Sequence, residues 1–381
     1  MYLKIKKYGD LMKKLIFLVI YVISFEAIGF AKTYKVALFS PKGSSPFWTL
    51  VADFANEAAN DLGMEFKLYD AKLSQYKMES QLKSAIKKDK VDAVAFSNFK
   101  KVAPSLIKIA NDAGVVAFLF NSGLDDKQGK KTGKPRGKNK FWIGEMLPDD
   151  EGTAGKIANH LIEAAKSKGK VAKDGKVHVV GISGLIADGS SIVRVNGLKK
   201  VVSKKGRPDA TLRQVVPSDW SKEQGKSKFY KLLTRYPEAT VFWTASYRGA
   251  DGILEGMKEK GLIPGKDVFV NTLVLNEKAL RAVKKGDFTV TAGGHYIEGA
   301  WVMILLYDYL NGFDFRNTGT QMRSPMGVIT SDNVDLYLNN VTKEKFSKKN
   351  LKKIDFTRYS KKYFPEIKKY NFDFDSILKQ L

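Results

Sequence analysis

The strongest constraint in this chain is an alternation. Short apolar runs at 34–40 (YKVALFS), 65–69, 91–97 (VDAVAFS), 115–120 (VVAFLF), 141–144, 176–183 (KVHVVGIS), 211–216, 240–244 (TVFWT), 267–273 and 288–293 read as strands. Between them lie amphipathic segments at 47–62, 75–88, 102–113, 150–168, 191–204, 221–235, 247–260, 276–285 and 296–311, which read as helices. Continuous apolar strands separated by amphipathic helices specify parallel sheets covered on both faces, hence an α/β fold. A chain of 381 residues is too long for one such core. The expectation is two doubly wound parallel-sheet lobes.

Ligands bind open parallel sheets at the carboxyl ends of the strands, where helix N-termini converge. The loop after 34–40 is SPKGSSPFW, which sets Phe47 and Trp48 into a polar stretch at such a mouth. Two aromatics there suit a stacking platform for a small ligand, the alternative being a loop plug that packs against the sheet edge.

Residues 1–31 carry lysines at 4, 6, 7, 13 and 14, an apolar run from Leu15 to about Phe25, and Gly29-Phe30-Ala31 before Lys32. That order predicts a cleavable secretory signal peptide ending at Ala31 and a periplasmic product. The run is too short for a membrane span of roughly twenty residues. The chain contains no cysteine, which excludes disulfides and any cysteine-based metal, redox or lipid-anchor chemistry. Formal net charge is +25, and loss of 1–31 would leave +22. Only 10 of the 65 basic residues are arginine, and the lysines are dispersed. A solvated basic surface is expected, with no nucleic-acid partner.

One stretch, DDKQGKKTGKPRGKNK at 125–140, is nearly devoid of apolar residues and reads as an exposed, mobile insertion. Its Gly-Lys pairs lack the spacing and the following Ser or Thr of a phosphate loop. Catalytic patterns are missing. The three histidines, His160, His178 and His295, are scattered, and no HExxH, GxSxG or GxGxxG occurs. Asp149-Asp150 precedes a helix, where carboxylates cap its N-terminus. No enzyme activity, cofactor or metal site is expected. The tail beyond Gly327, rich in Tyr, Phe and Lys, is expected to fold back as short helices and turns.

Taken in order, SSPFW (44–48), VDAVAFS (91–97), AGVVAFLFNS (113–122), GISG (181–184) followed by SSIVRVNGL (190–198), SDW (218–220), YPEATVFWTASYRGADGIL (236–254) and TAGGH (291–295) resemble the type 1 periplasmic substrate-binding proteins. This is the two-lobed family of ribose-, galactose- and arabinose-binding proteins, and the similarity runs over residues 33–345. It implies two lobes joined by a multi-strand hinge: lobe one from 32–144 plus 295–322, and lobe two from 145–294 plus 323–381 with the C-terminal tail. Function is then expected as closure on a small polar, sugar-like ligand by a monomer that serves an inner-membrane ABC permease. A sensor kinase or cyclase is the alternative partner, with a role in chemoreception.

Carried over by position, the resemblance places Ser45, Phe47 and Trp48 among first-lobe contacts, with Phe120 and Asn121 at the next ligand-facing strand end. Arg194 stands at the arginine of the second-lobe RxxG pattern, and Trp220 matches a cleft aromatic. Ser246 and Thr272 fall where the family usually has Asn and Asp, and His295 follows a Gly293-Gly294 hinge candidate. Those departures argue against the grip used for an ordinary aldose. Asn121, Arg194, Ser45 and Trp48 are similar to the pattern of the periplasmic receptor for the furanosyl autoinducer-2 signal, whereas Thr272 and Gly293 depart from it. Arg194 is equally suited to cross-linking its own helix, and Trp220 to a core position.

Overall fold

A computed structural model describes residues 32–381 except 187, 204, 342–345 and 347; the expected signal peptide lies outside the described residues. Tyr34–Leu381 forms one compact unit that holds both lobes. The strands are β1 Lys35–Ser40, β2 Glu65–Asp70, β3 Ala93–Phe96, β4 Val116–Phe120, β5 Trp142–Pro148, β6 Val177–Ile182, β7 Ala210–Val216, β8 Ala239–Thr244, β9 Phe269–Val270, β10 Thr291–Gly293, β11 Gln321–Ser324 and β12 Gly327–Ile329. The helices used below are α1 Pro46–Asp61, α2 Gln75–Ser84, α3 Ala103–Asp112, α4 Asp126–Thr132, α5 Asp150–Ser167, α6 Gly189–Val201, α7 Lys222–Arg235, α8 Tyr247–Glu259, α9 Glu277–Lys285, α10 Glu298–Leu310 and α11 Val334–Asn340.

A first parallel sheet runs β11-β5-β4-β3-β1-β2 and a second β7-β6-β8-β9, as the alternation requires. Successive strand residues point to opposite faces, and both faces are apolar. Leu38, Ala95 and Phe118 pack under α1 and α10, while Phe39, Val94 and Leu119 pack under α2 and α3. In the second sheet Val180 and Phe242 meet α7, α8 and α9, while Val179 and Trp243 meet α5 and α6. β10 and β12 pair antiparallel beside the second sheet.

The chain passes between the sheets three times: after β5 into α5, from β10 into α10, and from β11 into β12. Asp149 N donates to Ser324 O at 2.8 Å, which ties the first passage to the third.

Several expectations shift. The strand expected at 267–273 shrinks to Phe269–Val270, because Asn271 turns its amide onto the neighbouring backbone, accepting from Thr244 N at 2.9 Å and donating to Thr244 O at 2.8 Å. The Lys-rich stretch 125–140 is not a free insertion. Asp125 and Gln128 form a capping box that starts α4. Arg136 then pins the far end: its Nε donates to Ile143 O at 2.7 Å, its guanidinium lies 4.7 Å from the Phe315 ring centroid, and it pairs with Asp314 at 2.6 Å.

The tail also departs from its expected place on lobe two. Its stretch from Phe356 to Phe372 packs on α1 and α10, which cover the first sheet, because Trp301 and the buried Asp308 of α10 supply both an apolar wall and an acceptor. Among the described residues no helix is long and apolar enough to cross a membrane.

Candidate ligand-binding site

The site begins at the mouth of β1. Ser45, extended at φ −78° and ψ 142°, is the N-cap of α1; its hydroxyl accepts from Trp48 N at 3.3 Å, and Pro46 opens the first turn. The hydroxyl is therefore engaged in capping. The same turn orients Phe47 and Trp48. Their rings meet edge-on at 5.4 Å, Phe47 lies 4.8 Å from the His295 ring, and Trp48 meets Phe120 edge-on at 5.9 Å. Phe120 is fully enclosed, so it backs Trp48 from the core and does not face solvent. The half-buried pair Phe47 and Trp48 is thus a propped aromatic platform.

Asn121 continues β4 in the left-handed region at φ 64°, a conformation Asn tolerates better than most residues. Beside it lies Glu298, the first residue of α10 and completely buried. Glu298 Oε1 accepts from the Ser324 hydroxyl at the third passage, and Oε2 meets no hydrogen-bond donor among the described residues. Burial pushes this carboxyl well above the usual carboxylate range; Ser324 and Asn121 pull it down and Asp150 adds repulsion. His295 is half-buried, with its Nδ1 enclosed and without a hydrogen-bond partner among the described residues. Desolvation, with the Arg194 charge adding to it, brings its pKa down to about 3.

The second-lobe side is organised by Arg194 on α6. Its Nε donates to Asp150 Oδ1 at 2.7 Å and its Nη1 to Ala245 O at 2.9 Å, joining the starts of α5 and α8. Burial raises the Asp150 carboxyl, and Arg194 opposes that rise. Ser246 is the N-cap of α8, accepting from Gly249 N at 3.0 Å, so it too is engaged in capping. Trp220 has φ 69°, an outlier for so bulky a residue, and packs on the backbone of Gly184, where a side chain would collide with the indole. Thr272 is almost fully buried and lines a groove of about 380 Å³ with Tyr247, Asp251, Asn276 and Phe288; the Arg194 cluster contributes nothing to that lining.

Of the ten positions singled out in the sequence, Phe47, Trp48, Phe120 and His295 are joined by ring contacts, Asn121 follows Phe120 and interacts with Glu298, and the Arg194 charge acts on His295. Ser45 and Ser246 cap helices at the edge of this group, and no described contact joins Trp220 or Thr272 to it. Sequence reasoning passed over Asp150, Glu298 and Ser324. The expected pair of carboxylates at the start of α5 is present, with Asp149 capping the helix by accepting from Gly152 N at 3.0 Å and Asp150 in its first turn, but the pairing of Asp150 with Arg194 has no sequence signal. A signal for Glu298 was present: a lone acid opening the otherwise apolar run EGAWVMILL.

The cluster therefore combines an aromatic face with polar groups whose charges are internally settled. Arg194 is paired with Asp150, burial disfavours the charged form of Glu298, and the low pKa of His295, about 3, favours its neutral form. Such a surface suits an uncharged polar molecule with one apolar face.

Comparison with known proteins agrees in architecture. The periplasmic binding protein domain family matches residues 36–313. A D-apiose import binding protein of Actinobacillus succinogenes is 22% identical over 272 residues, covering 70% of this chain and 73% of that protein. The crystal structure of a periplasmic sugar-binding protein from Pseudomonas fluorescens is 25% identical with a TM-score of 0.71, covering 91% of this chain and 99% of that one. An ABC transporter periplasmic solute binding protein from Actinobacillus succinogenes with bound D-allose is 18% identical with a TM-score of 0.62, covering 80% of this chain and 99% of that one.

Proposed function

The chain belongs to the periplasmic binding protein family, and from that premise we propose that it binds a small uncharged polyhydroxy ligand in the periplasm and delivers it to an inner-membrane ABC importer. The observation that carries the reading is the pairing of the Phe47–Trp48 platform with the charge-balanced group Arg194, Asp150, His295 and Glu298. A sugar ring offers an apolar face to stack and a rim of hydroxyls to donate and accept. Asn121 and the remaining donors of Arg194 are the directional partners on the two sides of the cleft.

The lobes divide at the three passages, and ligand contacted from both sides favours the closed arrangement by its differential affinity for it. The protein acts by binding and release, without chemistry on the ligand. The relatives that import D-apiose or hold D-allose support the ligand class. Their descriptions give no support to a sensor-kinase partner.

Thermal-shift screening of the purified protein tests this with D-apiose, D-allose, L-arabinose, myo-inositol, sugar phosphates and uronic acids. A shift with neutral members that Trp48→Ala reduces is expected. A shift confined to the anionic members refutes the reading.

A further inference from the structure

The C-terminal segment is too apolar to be a loose tail: Phe356, Tyr370, Phe372, Phe374, Ile377 and Leu378 are all buried. Its partners, taken in chain order, run from one side of the hinge to the other. Phe356 N donates to Asp61 Oδ2 of α1 at 2.9 Å. On α10, Trp301 stacks on Phe372 at 4.7 Å and meets Tyr359 at 5.1 Å.

Asp308 of α10, fully enclosed, accepts from Lys361 N at 2.6 Å, Lys362 N at 3.1 Å, the Tyr370 hydroxyl at 2.6 Å and the Ser360 hydroxyl. All of these anchors belong to the helices over the first sheet. The chain then leaves them. Phe374 packs edge-on to Tyr296 at 5.7 Å and lies against Gly294 in the second passage, where φ is 95° and an added Cβ would stand 2.9 Å from the Phe374 ring. Asp375 accepts from the hydroxyl of Tyr337 on α11. That helix follows β12 and is joined to α9 of the second lobe by the Lys284–Asp335 pair at 2.6 Å.

We infer that residues 356–378 form a strap over the hinge, anchored on the first lobe at Asp308 and clasped to the second lobe by Tyr337 and Asp375, so that the clasp sets how freely the lobes turn about the three passages. The inference concerns the hinge alone and stands whatever the ligand. Its physical basis is range. A hydroxyl–carboxylate bond is lost when the partners separate by more than about 1 Å, and packed interfaces have discrete arrangements rather than continuous ones. Rotation of the second lobe carries Tyr337 with α11, whereas Asp375 is tethered through Tyr370 and Lys361 to α10. The clasp is therefore made in one range of lobe angles and broken outside it.

The test needs no ligand. Because the chain has no cysteine, Lys83→Cys on α2 and Lys258→Cys on α8, both exposed, give unique spin-label positions on the two lobes. Pulsed EPR on this labelled protein is expected to give one principal distance, and Tyr337→Phe or Asp375→Asn a broadened or second population, with circular dichroism preserved. Releasing the other end by Asp308→Asn is expected to shift the distribution in the same sense. Tyr337→Phe removes a single hydroxyl, so folding is not at issue in it. A distribution identical to the parent's in both Tyr337→Phe and Asp375→Asn overturns the strap.

Discussion

Arg194→Met probes whether the polar group of the second lobe holds itself together before any ligand arrives. Methionine keeps the length and apolar stem of the side chain while deleting the 2.7 Å bond to Asp150 and the 2.9 Å bond to the Ala245 carbonyl. Exposed ion pairs contribute about 0–1 kcal/mol, and breaking a buried one costs about 3–5 kcal/mol. The side chains of Arg194 and Asp150 are each 15% exposed, so the pair lies between these two cases. A loss of about 2–4 kcal/mol is expected at neutral pH, part of it from the charged donor withdrawn from the Ala245 carbonyl.

The pH dependence follows from Asp150, whose carboxyl burial already raises and Arg194 alone pulls strongly down. An acid with a folded-state pKa above its unfolded value contributes its full stability below the unfolded pKa and loses it as pH rises through the folded one. Removing Arg194 raises Asp150 further, so the deficit of the variant grows as pH rises through the already raised range of the wild-type carboxyl toward neutral. Urea denaturation followed by tryptophan fluorescence at about pH 4, 5.5 and 7 measures it. Adding Asp150→Asn removes the stranded carboxylate and should recover at least about 1 kcal/mol, a coupling expected of residues in contact. A deficit under about 0.5 kcal/mol at pH 7, or none recovered in the double variant, would refute the reasoning.

Trp48→Ala removes a half-buried ring propped by Phe47 and Phe120 and should weaken binding by about 1–3 kcal/mol, read by calorimetry with whichever neutral sugar the thermal screen returns; unchanged affinity would return Trp48 to a packing role. Glu298→Gln keeps a hydrogen-bonding partner for Ser324 but cannot ionise. The raised wild-type carboxyl loses stability as pH climbs from its unfolded value near 4.3, so the denaturation midpoint of the variant should gain on the wild type with rising pH; parallel curves would contradict a raised Glu298 carboxyl. His295 behaves in the opposite sense: with its pKa down at about 3, the neutral form is favoured, and wild-type stability should fall from about pH 6.5 toward 3 more steeply than that of His295→Gln. Asp308→Ala strands three buried donors, Lys361 N and the hydroxyls of Ser360 and Tyr370, and should cost about 3–5 kcal/mol, with increased hydrogen exchange over 356–372; unaltered exchange there would show that Trp301 alone holds the tail.

The sequence by itself determined the two parallel sheets and the aromatic loop at the mouth of the first. Apolar periodicity is a local property, and a strand buried on both faces must be apolar throughout, so Val36–Phe39, Ala93–Phe96 and Val179–Ile182 announced themselves. Phe47 and Trp48 were legible for a similar reason, since aromatics in a polar loop need a purpose or a wall. What only the tertiary structure decided is which polar atoms face one another across long stretches of chain. Ser45 and Ser246, plausible as ligand contacts, are engaged in helix caps. Asp150 and Arg194 are 44 residues apart, and Glu298 and Ser324 are 26 apart. Asp308 meets the tail more than fifty residues later. Hydrogen bonds act over about 3 Å, and a sequence pattern carries no record of such proximity between distant segments. The local code could therefore lay out both sheets and their mouths, while burial and side-chain pairing, fixed only after the lobes and tail had packed, chose the residues of the cluster and the route of the strap.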